Sequence, residues 1–338
     1  VTINSDKASV GGNDGSTVET ATITFTLSED SSDFTDSDIT TTNGTLGQIS
    51  GSGSTYTATF TPSSDFSGTA TIDVAASKFS DSAGNTNVTT GQGTVAINTV
   101  QPTVTIASSP LTTIGGANTA TVSFTLSANS IDFDNSSVTV TGGTLGTITG
   151  SGSSYTAIFT PSPNSTTPGQ ISVEGSAFTD TDGNTNTLSL TTTILVDTVA
   201  PNAPTVSLSA NANSPVSKAE ATSAFGIVDV TGGEAGATMN VLFTGSNGQS
   251  VTKSATGPSG SILLTESDLN TLGDGDVAVT ATQTDTAGNE SPVSSPLEFV
   301  LDTIAPQVVA VDSSSPPGAY KSGETVTINA YLSEPVAA

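Results

Sequence analysis

The residues able to do chemistry in this chain are carboxylates, and they recur. Asp81, Asp180 and Asp285 each open an Asp-x-x-Gly-Asn segment, closed by Asn85, Asn184 and Asn289. Seventeen positions beyond each of these acids stand Asn98, Asp197 and Asp302. Each is followed at once by Thr and four positions later by Pro. Glu29 and Glu334 both follow a Leu-Ser pair at the end of an alternating apolar run, and Glu234 holds the matching place in a third run. A calcium ion takes roughly six to eight oxygen ligands, from carboxylates, amide oxygens, carbonyls and water. A closing Asp, a loop Asp and a Glu would supply roughly three to five of them, counting bidentate carboxylates twice. The same residues also suit a metal-free turn, with Asp opening it and Gly or Asn at positive φ. A closing Asp can equally cap a backbone N–H of the linker. On the residues alone both readings stand.

Other chemistry has few residues to work with. The 338 residues include no His, Cys, Arg or Trp, and 31 acids face five lysines, for a formal net charge of −26. Nucleophile–base triads and zinc centres lack their residues. A carboxylate pair of the kind that cleaves glycosides would not repeat with a domain period, so the chain reads as a non-enzyme. Almost nothing could neutralise phosphates or an anionic membrane surface, which argues against nucleic acid and membrane as partners. Divalent cations are the natural counter-charge, and an acidic surface also keeps a long protein soluble. The lack of Cys leans towards export and leaves no disulfide to staple a fold. No signal peptide opens the chain and no apolar stretch is long enough to span a bilayer. The chain begins and ends within repeats, which reads as a segment of something longer.

The elements that must position these acids show in the repeats. Ala21-Thr-Ile-Thr-Phe-Thr-Leu-Ser28 matches Ala120-Thr-Val-Ser-Phe-Thr-Leu-Ser127. Gly44-Thr-Leu-Gly47 matches Gly143-Thr-Leu-Gly146. Tyr56-Thr-Ala-Thr-Phe-Thr-Pro62 matches Tyr155-Thr-Ala-Ile-Phe-Thr-Pro161. Each pair is offset by 99 positions, as are Phe79 and Phe178 before the acidic loops. Within a repeat, Ala21, Ile23, Phe25 and Leu27 alternate with Thr and Ser, the period-two signature of a strand with one face on a core. Gly-, Asn- and Ser-rich turns punctuate these runs, and Pro marks the junctions, where no central strand could hold it. About seven short strands per roughly 100 residues is a β-sandwich pattern. The expected fold is all-β, a row of Greek-key, immunoglobulin-like sandwiches forming an elongated rod. The expected domains are residues 1–99, 100–198, a divergent 199–303, and the start of a fourth at 304–338.

The Asp-Thr-Val/Ile-Ala-Pro junctions, the Tyr-Thr-Ala-x-Phe-Thr-Pro strand, the Asp-x-Ala-Gly-Asn loop and the Leu-Ser-Glu-Pro strand end together resemble bacterial Ig-like repeats. Val230-Thr-Gly-Gly-Glu-Ala-Gly-Ala-Thr238 is similar to a second subtype of that family. Such repeats build the extender regions of large RTX-type, type I-secreted surface adhesins. The resemblance implies a secreted, cell-surface bacterial protein that serves adhesion and biofilm formation. It further implies calcium bound between neighbouring repeats.

In such a sandwich the B–C and F–G loops share one pole, and the last strand ends at the other, leading into the next domain. The closing residue of one repeat should therefore approach the B–C and F–G loops of the next. Asp197, Glu234 and Asp285 make a full set at the second joint. Asp302 and Glu334 serve the third. The first joint is altered: Asn98 replaces Asp and Ala128 replaces Glu, while Asp182 joins Asp180, so different coordination is expected there. Glu29 and Asp81 lie at the open first pole. Three carboxylates at one hinge repel, by about 4 kcal/mol per pair at 4 Å and an effective dielectric near 20. Calcium would turn that flexible string into a stiff monomeric rod. The alternative is a calcium-dependent carbohydrate- or surface-binding module. Against it, Tyr56 and Tyr155 share a repeat position on the apolar face and read as core rather than as a sugar platform.

Overall fold

The computed structural model describes residues 1–110 and 112–335, and these are almost wholly β. They form two compact units, Val1–Val199 and Ala200–Ala338.

The first unit holds two sandwiches. In domain one the strands are β1 (Thr2–Ser5), β2 (Ser9–Val10), β3 (Ala21–Ser31), β4 (Ile39–Thr41), β5 (Gly44–Leu46), β6 (Ser50–Pro62), β7 (Ser67–Val74) and β8 (Gly91–Asn98). They make two four-stranded sheets, β1-β3-β6-β5 and β2-β8-β7-β4. In immunoglobulin terms these are the A-B-E-D and A′-G-F-C sheets. Alternation drives the packing. Ala21, Ile23, Phe25 and Leu27 of β3 are buried, and Thr22 and Thr26 between them are exposed. β3 and β6 pair antiparallel, with Phe25 opposite Tyr56 and Ile23 opposite Ala58. Between the sheets, the ring of Phe34 lies 5.6 Å from Phe25 and 5.1 Å from both Tyr56 and Phe79. The Tyr56 hydroxyl donates to the Ser31 carbonyl at 2.7 Å, which satisfies its one polar atom inside the core.

Domain two repeats this plan in β9 (Val104–Ser109), β10 (Ala120–Ser130), β11 (Val138–Thr141), β12 (Gly143–Leu145), β13 (Thr149–Pro161), β14 (Gly169–Val173) and β15 (Thr192–Ile194). Its sheets are β12-β13-β10-β9 and β11-β14-β15. Phe133 takes the place of Phe34, 5.4 Å from Phe124 and 5.2 Å from Phe178.

The second unit begins with domain three: β16 (Thr205–Leu208), β17 (Val216–Ser217), β18 (Val228–Thr231), β19 (Thr238–Gly245), β20 (Ser250–Thr256), β21 (Ser259–Ile262), β22 (Gly275–Thr284) and β23 (Leu297–Asp302). A three-stranded sheet, β16-β18-β21, faces a five-stranded one, β17-β23-β22-β19-β20. The strand count matches domain one, but the edge strand has changed sheets: β20 pairs along its whole length with β19, whereas β5 of domain one pairs with β6 in the opposite sheet. Two short helices, α1 (Lys218–Ala221) and α2 (Glu266–Leu272), start at Ser217 and Thr265, each with a capping box. Last come β24 (Val308–Ser313) and β25 (Ile328–Leu332), an antiparallel pair.

One pairing recurs in all three sandwiches. A short segment after the first strand runs parallel to the end of the sandwich: β2 with β8, β17 with β23, and in domain two the single bridge of Ile114 with Val196. No described helix is long and apolar enough to cross a membrane.

Candidate metal sites at the domain poles

The acidic loops are built as turns. Asp81 accepts the backbone N–H groups of Ala83 and Asn85, both at 2.8 Å, and the Asn85 side-chain amide at 2.9 Å. Asp180 and Asp285 hold the same set two and four residues on. Gly84, Gly183 and Gly288 supply the positive φ that closes each turn. The Asn85 amide and the backbone donors hold the Asp81 carboxyl below the usual aspartate range. Burial pushes Asp285 up, but the Asn289 amide and the backbone donors outweigh it, and the net direction is again down. The closing acids cap the linkers: Asp197 accepts from Val199 N–H and Asp302 from Ile304 N–H, each at 3.2 Å. The turn and cap readings of these residues are thus both realised. A carboxylate has about four lone-pair directions, so such a turn leaves capacity over.

The loops also meet where sandwich topology sends them. Ser31, at the end of β3, bridges Asp81, and Asp33 accepts from Ser80 N–H at 2.8 Å. Ser130 bridges Asp180 in domain two. At the open pole of domain one, Glu29 and Asp81 line a cavity of about 270 Å³ with Val1. In domain three, Glu234 lies between β18 and β19, and Asp285 follows β22. The fully buried Gln283 ties this pole together. Its side-chain oxygen accepts from Glu234 N–H at 2.9 Å, and its amide donates to the Asn202 carbonyl at 2.6 Å. Asp197 belongs to the first unit and Glu234 and Asp285 to the second.

Asp302 and Glu334 line one cavity of about 420 Å³, with Ser217, Lys218, Thr303 and Ile304. One Glu334 side-chain oxygen is shielded from solvent there and has no hydrogen-bond partner among the described residues. An orphaned carboxylate oxygen is costly, and a cation beside a second carboxylate would satisfy it. These residues fit a calcium ion. Lys218 is turned to another acid, Glu266. No group of three or more His, Cys, Asp or Glu stands ready for a metal among the described residues. A cation here would therefore draw on two carboxylates, backbone oxygens and water.

At the joint of domains one and two, Asn98, Asp180 and Asp182 are brought together by amide hydrogen bonds. The Asn98 side-chain amide donates to the Asp182 carboxylate at 2.6 Å. The Asn184 amide donates to the Asn98 carbonyl at 3.0 Å and to Asp180 at 3.1 Å. Asp180 and one Asp182 oxygen thus hold N–H groups, and the joint closes on amide hydrogen bonds.

Sequence reasoning missed the residues that complete this joint. Gly11, Gly12 and Asn13, in the loop between β2 and β3, touch Asp182, Asn184 and Thr185. The signal was present as a Gly-Gly-Asn-Asp-Gly run, of which domain two keeps only the two glycines, Gly115 and Gly116 after Ile114. Gln283 was legible too, as a polar residue on the inward side of β22 after Val277, Val279 and Ala281.

The fold defines a chain of immunoglobulin-like sandwiches. Residues 1–97 and 98–196 match the family model of the bacterial Ig-like domain. These two repeats make up more than half of the chain, and it belongs to that family. Comparison with curated proteins finds none that matches. Among solved structures, InvD of Yersinia pseudotuberculosis is 17% identical with a TM-score of 0.35, over 89% of this chain and 97% of that one. A tetra-tandem repeat from the extending region of a large adhesion protein is 19% identical with a TM-score of 0.32, over 93% and 76%.

Proposed function

We propose that this chain is a structural extender segment of a bacterial surface adhesin, not an enzyme, and that calcium at the joint after domain three stiffens it. The observation that carries the calcium reading is the shielded, unpartnered oxygen of Glu334, a residue that lines one cavity with Asp302. Asp302 closes β23 and Glu334 follows β25, so an ion held by both would tie domain three to the strands after it. By the sequence pattern, Asp197, Glu234 and Asp285 are a second candidate set, and Glu29 with Asp81 a partial one. The ion would supply charge neutralisation and a shared ligand. The fold supplies part of the set in fixed positions: Asp81 and Asp285 are held by their turns, Asp197 and Asp302 by their caps.

The expected scale is modest. Extracellular calcium modules have dissociation constants of roughly 10⁻⁴ to 10⁻³ M. At ten to a hundred times that concentration, linkage stabilises by about 1.4 to 2.7 kcal/mol per site. That is small beside a folded domain and large for a hinge. Placement on a bacterial surface agrees with the family, with the acidic, cysteine-free composition and with the extending-region structure above. Small-angle scattering of the full chain is the test. Calcium should lengthen the maximum dimension over that in EDTA, and the double variant Asp302→Asn, Glu334→Gln should lose part of that gain. An unchanged dimension with and without calcium would sink the mechanism.

A further inference from the structure

We infer that the joint between domains one and two is an amide latch, which holds these two sandwiches in one arrangement without a metal ion. This goes beyond the calcium reading and stands without it.

The first observation is the sign of the groups that meet. Where the other closing residues are aspartates, Asn98 presents an N–H donor to Asp182. Asn184 acts in both directions. Its amide nitrogen donates to the Asn98 carbonyl, and its oxygen accepts from Asn13 N–H at 2.8 Å. Backbone groups extend the seam: Gly12 N–H donates to the Asp182 carbonyl at 3.0 Å and Thr185 N–H to the Asn13 carbonyl at 2.9 Å. The Asn13 amide turns back to the Thr99 carbonyl at 2.7 Å, fixing the loop that makes these contacts. Gln101, in the linker, donates to the Thr185 carbonyl at 3.0 Å. Asn98 thus answers Asp182 with a donor where a second carboxylate would repel it, and the seam closes on hydrogen bonds between the two domains.

The second observation is a comparison inside the molecule. The same Asp-x-x-Gly-Asn turn, with the same internal hydrogen bonds, occurs at the open pole of domain one and at the joint. At the open pole Asn85 is exposed, whereas at the joint Asn184 is fully buried and Asp180 is 1% exposed. The turn folds either way, and in domain two its outer face is covered by domain one.

The third observation is the length of the loop that covers it. Eleven positions separate Val10, paired to Ile97, from the start of β3 at Ala21. Only six separate Ile114, paired to Val196, from the start of β10 at Ala120. The difference is a five-residue extension in the domain-one loop that begins with Gly11, Gly12 and Asn13; domain two keeps the glycines as Gly115 and Gly116 and has Ala117 in place of Asn13. Approach is close enough that a Cβ built on Gly11 would lie 2.1 Å from the Asp182 carbonyl oxygen. Only glycine fits there.

The cysteine-free chain allows a direct test by spin-label distance measurement. Labels at Thr26→Cys and Thr125→Cys, exposed and equivalent in the two domains, report on this joint. The latch requires one narrow distance distribution, the same in millimolar calcium and in EDTA. Asn184→Ala and Gly11→Ala should each broaden it in both conditions, the latter while leaving every side-chain donor in place. Asn85→Ala removes the same intra-turn bonds at the open pole and should leave the distribution narrow. Broadening of the parent chain in EDTA, or narrow distributions in both joint variants, would overturn the proposal. A second label pair, Thr252→Cys with Ser314→Cys, reads the joint after domain three. If that pair ignores calcium, the calcium reading fails while the latch stands.

Discussion

At the residue scale, one turn serves two ends. Asp81 spends its carboxylate on Ala83, Asn85 and the Asn85 amide, and these bonds favour its charged form. Its folded-state pKa therefore lies below the unfolded value. The resulting stabilisation is present above the unfolded value, about 3.9, and is lost as pH falls through the lowered folded one. A carbon-13 NMR titration of the Asp81 carboxyl should give a midpoint below about 3.9, and Asn85→Ala should move it up. A midpoint at or above the ordinary value in the parent chain would refute this. The acids and their turns were legible because turn chemistry is local: Asp, Gly and Asn at fixed spacing dictate it. The side of the joint that covers Asn184 was not. Gly11 and Asn13 act on residues more than 160 positions away, and no local rule connects them.

At the element scale, strict alternation made the long strands legible, and the 99-residue offset made domains one and two near copies. What the offset hid was the extended loop before β3, because the matched segments begin after it. The two-residue strand β2 was equally hidden, since its place is set by β8 rather than by its own pattern. Glycine at the start of β5 and β12 has a packing reason. A Cβ on Gly143 would lie 2.5 Å from the Phe159 ring and 2.4 Å from the Thr160 carbonyl. Gly44 meets Phe60 and Thr61 in the same way. Neither is at positive φ, so the constraint is space alone. Gly143→Ala should destabilise domain two by about 1–3 kcal/mol, the usual range for overpacking. Denaturant unfolding that resolves the two domains would show it, with domain one as the internal reference. An unchanged midpoint would mean that the strand yields freely.

At the scale of the whole molecule, the joints differ. One seam is closed by amides, and at another Asp302 and Glu334 line one cavity. The family places the chain among bacterial Ig-like repeats, and the short parallel pairing at the end of each sandwich bears on what such a chain must withstand. Force applied to the two chain ends drives β2 and β8 along their common axis in opposite directions. Their hydrogen bonds are then loaded together in shear, instead of being opened one at a time as in an unzipping hairpin. Ile114 with Val196, and β17 with β23, repeat that geometry. With prolines at Ser9 and Val10, which abolish the donors of β2, single-molecule pulling should find domain one rupturing at lower force than domain two in the same trace. Equal rupture forces would locate the resistance elsewhere. A pairing this short, negligible as a source of folding stability, would then be where each sandwich bears tension.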